Sequence, residues 1–219
     1  MMAKHGDLPL RVPLFPLPDV VLFPGVLLPL HVFEPRYRAM VEDVQRQSEP
    51  LIGMVLLREG WEADYYGHPG IFSVGCAGRM IDVTALPDGR YNIVLSGLRE
   101  FAIRAERRDL PYRVAEVEWR EEQSGDVPEE LRRELLRAGL AALRRHRQPP
   151  RWVSHLQDLP AARLVNLLSF ALPLQVLEKQ ALLEARPLRE RAERLRQALE
   201  FYLCDPFRWS EHPITRQPH

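Results

Sequence analysis

PLFPLPDVVLFPGVLLPLHVFEPRYRAMV, residues Pro13–Val41, is the stretch on which the fold turns. Prolines at 13, 16, 18, 24 and 29 separate short aliphatic runs, and Pro9 precedes them. Proline has no N–H to give to a ladder, so the pattern predicts short or edge strands joined by extended segments, not a central sheet. After Phe33 the pattern changes. Pro35 suits the first turn of a helix, and Tyr37, Met40, Val41 and Val44 recur at the spacing of one helical face. The apolar run Val20–Phe33 is broken by Pro24, Gly25 and Pro29. It falls short of the roughly 20 residues of a membrane helix.

Working outward, Pro50 closes the helix and LIGMVLL (Leu51–Leu57) reads as a buried strand. Residues 58–70 read as a loop, whose Trp61, Tyr65 and Tyr66 suggest that it packs onto something. Ile71–Thr84 is strand-like, with Gly75 and Gly78 as expected bulges. Pro87-Asp88-Gly89 is a turn signal, and Ile93, Leu95, Phe101 and Ile103 then share one face of a long strand. YRVAEVEW after Pro111 is a last strand, completing a small, partly open barrel with one helix. Beyond Arg120 the character is helical. Gln123-Ser124-Gly125 reads as a linker, and Asp126-x-x-Glu129 as a capping-box-like start. Leu131, Leu135, Ala138 and Ala142 form one stripe, and RQPPR (147–151) ends that helix. Pro160, Pro173 and Pro187 each open a further helix. The expected class is α+β: a β-rich part over 8–120, an all-α part over 126–203, and an irregular tail over 204–219.

The chain has 219 residues, with 30 basic and 30 acidic side chains and no formal net charge. That balance argues against binding nucleic acid or an anionic membrane. Nearly every basic residue is arginine; Lys4 and Lys179 are the two lysines. Neither sits in the Gly-rich context of a phosphate-binding loop, and neither has a serine placed for a Ser–Lys dyad. Cys76 and Cys204 lack the spacing of a zinc site and read as reduced, buried thiols, with a disulfide between them left open. The N-terminal MMAKHGD lacks the apolar stretch of a signal peptide, so the expectation is a soluble, cytoplasmic chain without membrane contact.

Four blocks carry a family resemblance. Pro13–Val41 resembles the opening of the Lon protease N-terminal, substrate-binding domain. DGRYNIVLSGLREFAI (Asp88–Ile103) and YRVAEVE (Tyr112–Glu118) resemble that domain's later hairpin and closing strand. ALLEARPLRERAERLRQAL in the helical half resembles the family's Leu-Leu, then Arg-x-x-Arg-Leu ending. The resemblance covers about residues 10–203. It implies a PUA-like β pseudobarrel followed by a helical bundle. It further implies a stand-alone bacterial form, without ATPase or peptidase parts, that binds polypeptides without cutting them and takes no cofactor. Implied partners are unfolded or tagged polypeptides, with a protease or chaperone beside them; the alternatives are an adaptor docking on a protease or other complex, and an RNA-binding PUA-like protein, against which the balanced charge argues.

Candidate peptide-binding residues are Phe23, Pro24, Phe33, Glu34, Arg36, Tyr37, Arg90 and Arg99. A structural reading competes for each. Glu34 fits a helix start favoured by the dipole, Arg36 an anchor of that helix to the barrel, and Tyr37 the core. Arg90 and Arg99 fit ion pairs with Asp82 or Asp88. Arg132, Arg133, Arg137, Arg144, Arg145 and Arg147 read as a solvated face, because Glu129, Glu130 and Glu134 precede them. His31, His68, His146 and His155 have no partner at a diagnostic spacing, and no converging acid–base pair can be named, so no catalytic residue and no metal ligand is expected. Proline-broken strands could also leave an edge for β-augmentation.

Overall fold

The computed structural model describes residues 8–107, 109–121, 126–144 and 151–204. The chain divides into two compact units, residues 1–121 and 122–219.

The first unit contains β1 (Arg11–Leu17), β2 (Leu27–Val32), α1 (Pro35–Gln45), β3 (Leu51–Leu56), β4 (Val74–Ala85), β5 (Tyr91–Arg107) and β6 (Val114–Trp119). The strand order is β2-β5-β4-β3-β1-β6, and β5 also pairs with β6. Five strands therefore close a circuit, and β2 hangs on the first half of β5. The 17-residue length of β5 makes this possible. Its residues 91–96 pair with β2, and its residues 101–107 pair with β6.

β1 overturns the expectation of edge strands, since it lies between β3 and β6 despite Pro13 and Pro16. It tolerates them by changing partners midway. Arg11–Pro13 pair antiparallel with β6, and Leu14–Leu17 pair parallel with β3. Successive N–H groups point to opposite sides of a strand. Leu14 donates toward β6, to the Arg113 carbonyl at 2.8 Å. By alternation, Pro13 faces the β3 side before that ladder begins, and Pro16 faces the β6 side after that ladder has ended. Neither proline costs a ladder bond.

Inside the circuit Val12, Leu14, Val55, Ala77, Phe101, Ala115 and Val117 form a buried core. Phe101 explains Gly75. A Cβ there would come within 2.8 Å of the Phe101 ring and 2.5 Å of the Met54 carbonyl oxygen. Gly75 is thus a space-making residue in regular register and not a bulge; the register shifts of the β4–β5 pair fall at Ala77/Gly78 and Met80/Asp82. In α1 the buried face is Tyr37, Met40, Val41 and Val44, as its periodicity predicts. Phe15 meets Tyr37 at 4.3 Å between ring centroids, and the Tyr112 hydroxyl donates to Asp43 at 2.9 Å.

Among the described residues β2 pairs with β5 alone. The Val26 carbonyl accepts from Gly97 N–H, so Leu28, Leu30 and Val32 address β5, and Leu27, Pro29 and His31 address the open edge. Pro29 deprives that edge of its central donor, a device that discourages strand addition.

The second unit holds α2 (Glu129–Arg144), α3 (Ala161–Ala171), α4 (Val176–Glu184) and α5 (Leu188–Cys204), with a 3-10 segment, Arg151–Asp158, that the sequence reading did not foresee. Two helix starts differ from expectation. α2 begins at Glu129, the Pro128 carbonyl accepting from Arg132 N–H, two residues later than a cap at Asp126 would start it. α4 begins beyond Pro173, where Gln175 N–H donates to the Glu178 carboxylate at 2.7 Å in a capping box. Pro160 and Pro187 do stand at helix starts. Lys179 donates to the Phe170 carbonyl near the end of α3 at 2.6 Å, and burial pushes its ammonium down to about 8. Both cysteines are reduced thiols, Cys76 buried but Cys204 exposed, against the expectation of two buried thiols. No helix among the described residues is long and apolar enough to cross a membrane. The linker at 123–125, most of RQPPR, Arg145, His146 and Arg147, and the tail from Asp205 lie outside the described residues.

Candidate functional site

Glu34 is the last extended residue before α1, with φ −67° and ψ 134°. A carboxylate here could cap the helix, but its side chain makes no such bond. It accepts instead from Arg36 Nε at 3.1 Å and from the Tyr65 hydroxyl at 2.5 Å. Arg36 turns the same way. Its guanidinium carbon lies 4.6 Å from the Tyr37 ring centroid, 5.2 Å from Tyr65 and 6.0 Å from Tyr66. Nη2 also reaches the Tyr65 carbonyl at 3.4 Å. Arg36 thus fastens the 58–70 loop, where the sequence reading had it fastening helix to barrel.

The loop is closed at its base by Arg58 N–H donating to the Gly70 carbonyl at 2.8 Å, beside a Leu57–Ile71 bridge. Arg113 holds its far side. Nη1 donates to the Pro69 carbonyl and Nε to Glu106, both at 2.8 Å. Beside the loop lies a cleft of about 220 Å³. Buried Tyr37 and Tyr112 form its floor, and Arg36, His68, Arg107 and Arg113 line it. Tyr66, 86% exposed, and Leu110, 45% exposed, stand at its rim.

Burial raises the pKa of all three tyrosines around this junction. Tyr37 is pushed well above its ordinary value by burial, with Arg36 opposing. Tyr65 is pushed up to about 12, first by burial and then by its hydrogen bond to Glu34. Tyr112 is raised by burial and by Asp43. A folded pKa above the unfolded value near 10 means that the native state holds its proton longer. The resulting stability is complete below pH ~10 and is lost as pH rises through the folded values. Urea midpoints measured from pH 8 to 12 should be flat up to about pH 10 and then fall. Glu34→Gln should bring the Tyr65 ionisation, read by ultraviolet absorbance, back toward 10, and an unchanged titration would refute the Glu34–Tyr65 coupling.

The sequence candidates separate in space. Glu34, Arg36 and Tyr37 belong to the cleft region. Phe23 is fully buried, so its ring is core and cannot meet a ligand. Pro24 is partly buried beside it, and Phe33 is 48% exposed next to His31, away from the cleft lining. Arg90 pairs with Asp88 in the hairpin turn and lies 3.2 Å from His31 Nε2. Arg99 sits on β5 opposite Ala77. On α2, Arg132 donates to the Gln157 and Leu159 carbonyls, and Arg133 to the Glu129 carbonyl. Tyr66, His68, Arg107, Leu110, Tyr112 and Arg113 were not foreseen as site residues; the loop's aromatic residues were the one local sign. Among the described residues no group of three or more His, Cys, Asp and Glu could hold a metal.

A closed circuit of strands carries an aromatic and arginine-lined cleft, and a helical unit follows it in the chain. The chain belongs to the family of the ATP-dependent protease La (LON) substrate-binding domain, which it matches over residues 11–200. It is 28% identical over 203 residues to a Lon protease of Anaeromyxobacter dehalogenans, covering 87% of this chain and 23% of that protein. It is 25% identical over 197 residues to the Lon protease of Escherichia coli K12, covering 87% of this chain and 25% of that protein. The chain therefore spans about a quarter of the length of these relatives. Among solved structures, a Lon N-terminal domain protein from Xanthomonas campestris superposes with a TM-score of 0.62 at 31% identity, covering 87% of this chain and 98% of that one. The N-terminal domain of the Mycobacterium avium complex Lon protease shares the fold, with a TM-score of 0.68 at 21% identity and the same coverage. The α+β class and the family that the sequence resembles are both shown.

Proposed function

We propose that this chain recognises exposed segments of other polypeptides and holds them without cutting them, the segment's apolar side chains entering the cleft beside the 58–70 loop. The observation that carries this reading is the pairing of exposed Tyr66 and Leu110 with a floor and walls held rigid by Glu34, Arg36 and Arg113. Such a site offers apolar surface without first having to order itself. Each 100 Å² of apolar area covered contributes about 2.5 kcal/mol, and the cost of ordering an unfolded ligand keeps the net affinity modest. Membership of a substrate-binding-domain family supports the same reading. Pro29 disfavours strand addition at β2, so the cleft is the better place for contact than the sheet edge.

Hydrogen exchange with and without a permanently unfolded test protein, such as reduced and alkylated lysozyme, tests the reading. Protection is expected at residues 34–37, 60–69 and 109–113. Unchanged exchange throughout residues 10–120 would overturn it.

A further inference from the structure

The cleft is uneven in charge. Its lining includes Arg36, His68, Arg107 and Arg113 and no carboxylate. The acids paired with these arginines, Glu34, Glu116 and Glu106, lie outside that lining. Arg113 is fully used, on Glu106 and the Pro69 carbonyl. Arg36 uses Nε and Nη2, and Arg107 uses Nε and Nη2 on a single Glu116 oxygen. Arg36 Nη1, Arg107 Nη1 and the His68 ring have no hydrogen-bond partner among the described residues. The Arg107–Glu116 pair is open to solvent on both sides, 46% and 41% exposed, so little holds Arg107 in its present direction.

Three glutamates offset the three arginines, and Asp43, Asp64 and Asp109 stand beside Tyr112 and His68, so a dianion would find no compensating charge. A single negative charge with two oxygens suits the spare donors, since guanidinium groups bind carboxylates through paired, charge-assisted hydrogen bonds. Resting on the polypeptide reading above, we infer that the cleft anchors a carboxylate of the bound segment, its C-terminus or an acidic side chain, while a neighbouring apolar or aromatic residue lies on Tyr66 and Leu110. The carboxylate orients the segment, and the apolar contact supplies most of the area.

The test uses fluorescence anisotropy with the full chain and a short dye-labelled peptide ending Ser-Leu-Phe. Its forms are the free acid, the C-terminal amide, and the amide carrying an added Glu before the Leu. A charge-assisted bond contributes roughly 1.5–3 kcal/mol, so amidation should weaken binding by about 10- to 100-fold. Arg107→Gln, at an exposed position, should weaken the free acid by a larger factor than it weakens the amide. Recovery by the Glu-bearing amide would show that side-chain carboxylates are accepted; no recovery would assign the site to chain ends. Equal binding of acid and amide would overturn the carboxylate anchor and leave the polypeptide reading standing. So would stronger competition by inorganic phosphate than by chloride at matched ionic strength, or absence of peptide binding while an unfolded protein still protects the cleft. Absence of both peptide binding and protection would overturn both.

Discussion

Gly97→Val is expected to destabilise the first unit by about 4 kcal/mol, a large part of what holds a typical domain folded. A Cβ on Gly97 would lie 2.0 Å from the Phe23 carbonyl oxygen, 2.9 Å from the Phe23 carbonyl carbon and 3.3 Å from Pro24 Cα. Those atoms are backbone, so no rotamer change relieves the clash. The segment cannot simply lift away. Gly25 N–H donates to the Gly97 carbonyl, and Gly97 N–H to the Val26 carbonyl, both at 2.8 Å. Phe23 is anchored as well, its side chain being fully buried. Overpacking ordinarily costs about 1–3 kcal/mol, and each lost backbone bond about 1 more. With a urea slope of roughly 2 kcal/mol per molar, the midpoint should fall by about 2 M. Peptide binding should vanish with it, although Gly97 is not among the cleft residues. A midpoint within about 0.3 M of the parent protein would refute the close approach. Ser96→Ala, beside it on β5, should shift the midpoint by a few tenths of a molar at most.

Gly97 also shows why parts of the fold were hidden from the sequence. Helix α1 was legible because its information is local: four apolar residues on one 3.6-residue face, opened by Pro35. The prolines of β1 were read by the same local logic and misled, because their cost depends on which neighbour lies on which side. That is set by the pairing of residues 14–17 with β3 and 11–13 with β6. Gly75 misled likewise, since its reason is the Phe101 ring arriving from β5.

The cleft divides in the same way. Glu34, Arg36 and Tyr37 are contiguous and stood out as a constellation. Arg107, Leu110, Tyr112 and Arg113 come from the far end of β5 and the connection to β6, and only the closure of the strand circuit brings them to α1. Tyr66 and His68 arrive because Arg58 and Gly70 close the loop at its base. In sequence Arg113 looks like one more polar residue of an alternating strand. Its role appears only when Glu106 and the Pro69 carbonyl converge on it. Phe23, Arg90 and Arg99 stand out by residue type, and type does not say which way a side chain faces in the fold.

In the second unit the largest loss is expected for Arg191→Ala, about 3–5 kcal/mol. Arg191 is 0% exposed, although it follows Leu188 by one turn on the face shared with Ala192, Leu195 and Leu199. The polar residue in that stripe read as part of a family ending; in the fold it is a junction. Nη1 donates to Asn166 Oδ1 of α3 at 2.7 Å, and Nη2 to the carbonyls of Leu183 at 2.8 Å and Ala185 at 3.5 Å at the end of α4. One planar cation thus joins three helices and neutralises the negative end of one of them. Truncation to alanine removes these hydrogen bonds from a buried site and opens a cavity, two costs that add. Arg191→Met separates them. It refills most of the volume but satisfies no acceptor, so about half of the alanine loss should remain. Urea unfolding of the three proteins, followed by hydrogen exchange in residues 161–204, decides the matter. If methionine is as stable as arginine, the guanidinium contributes packing alone. If alanine costs less than about 1 kcal/mol, the junction is not what holds α3, α4 and α5 together.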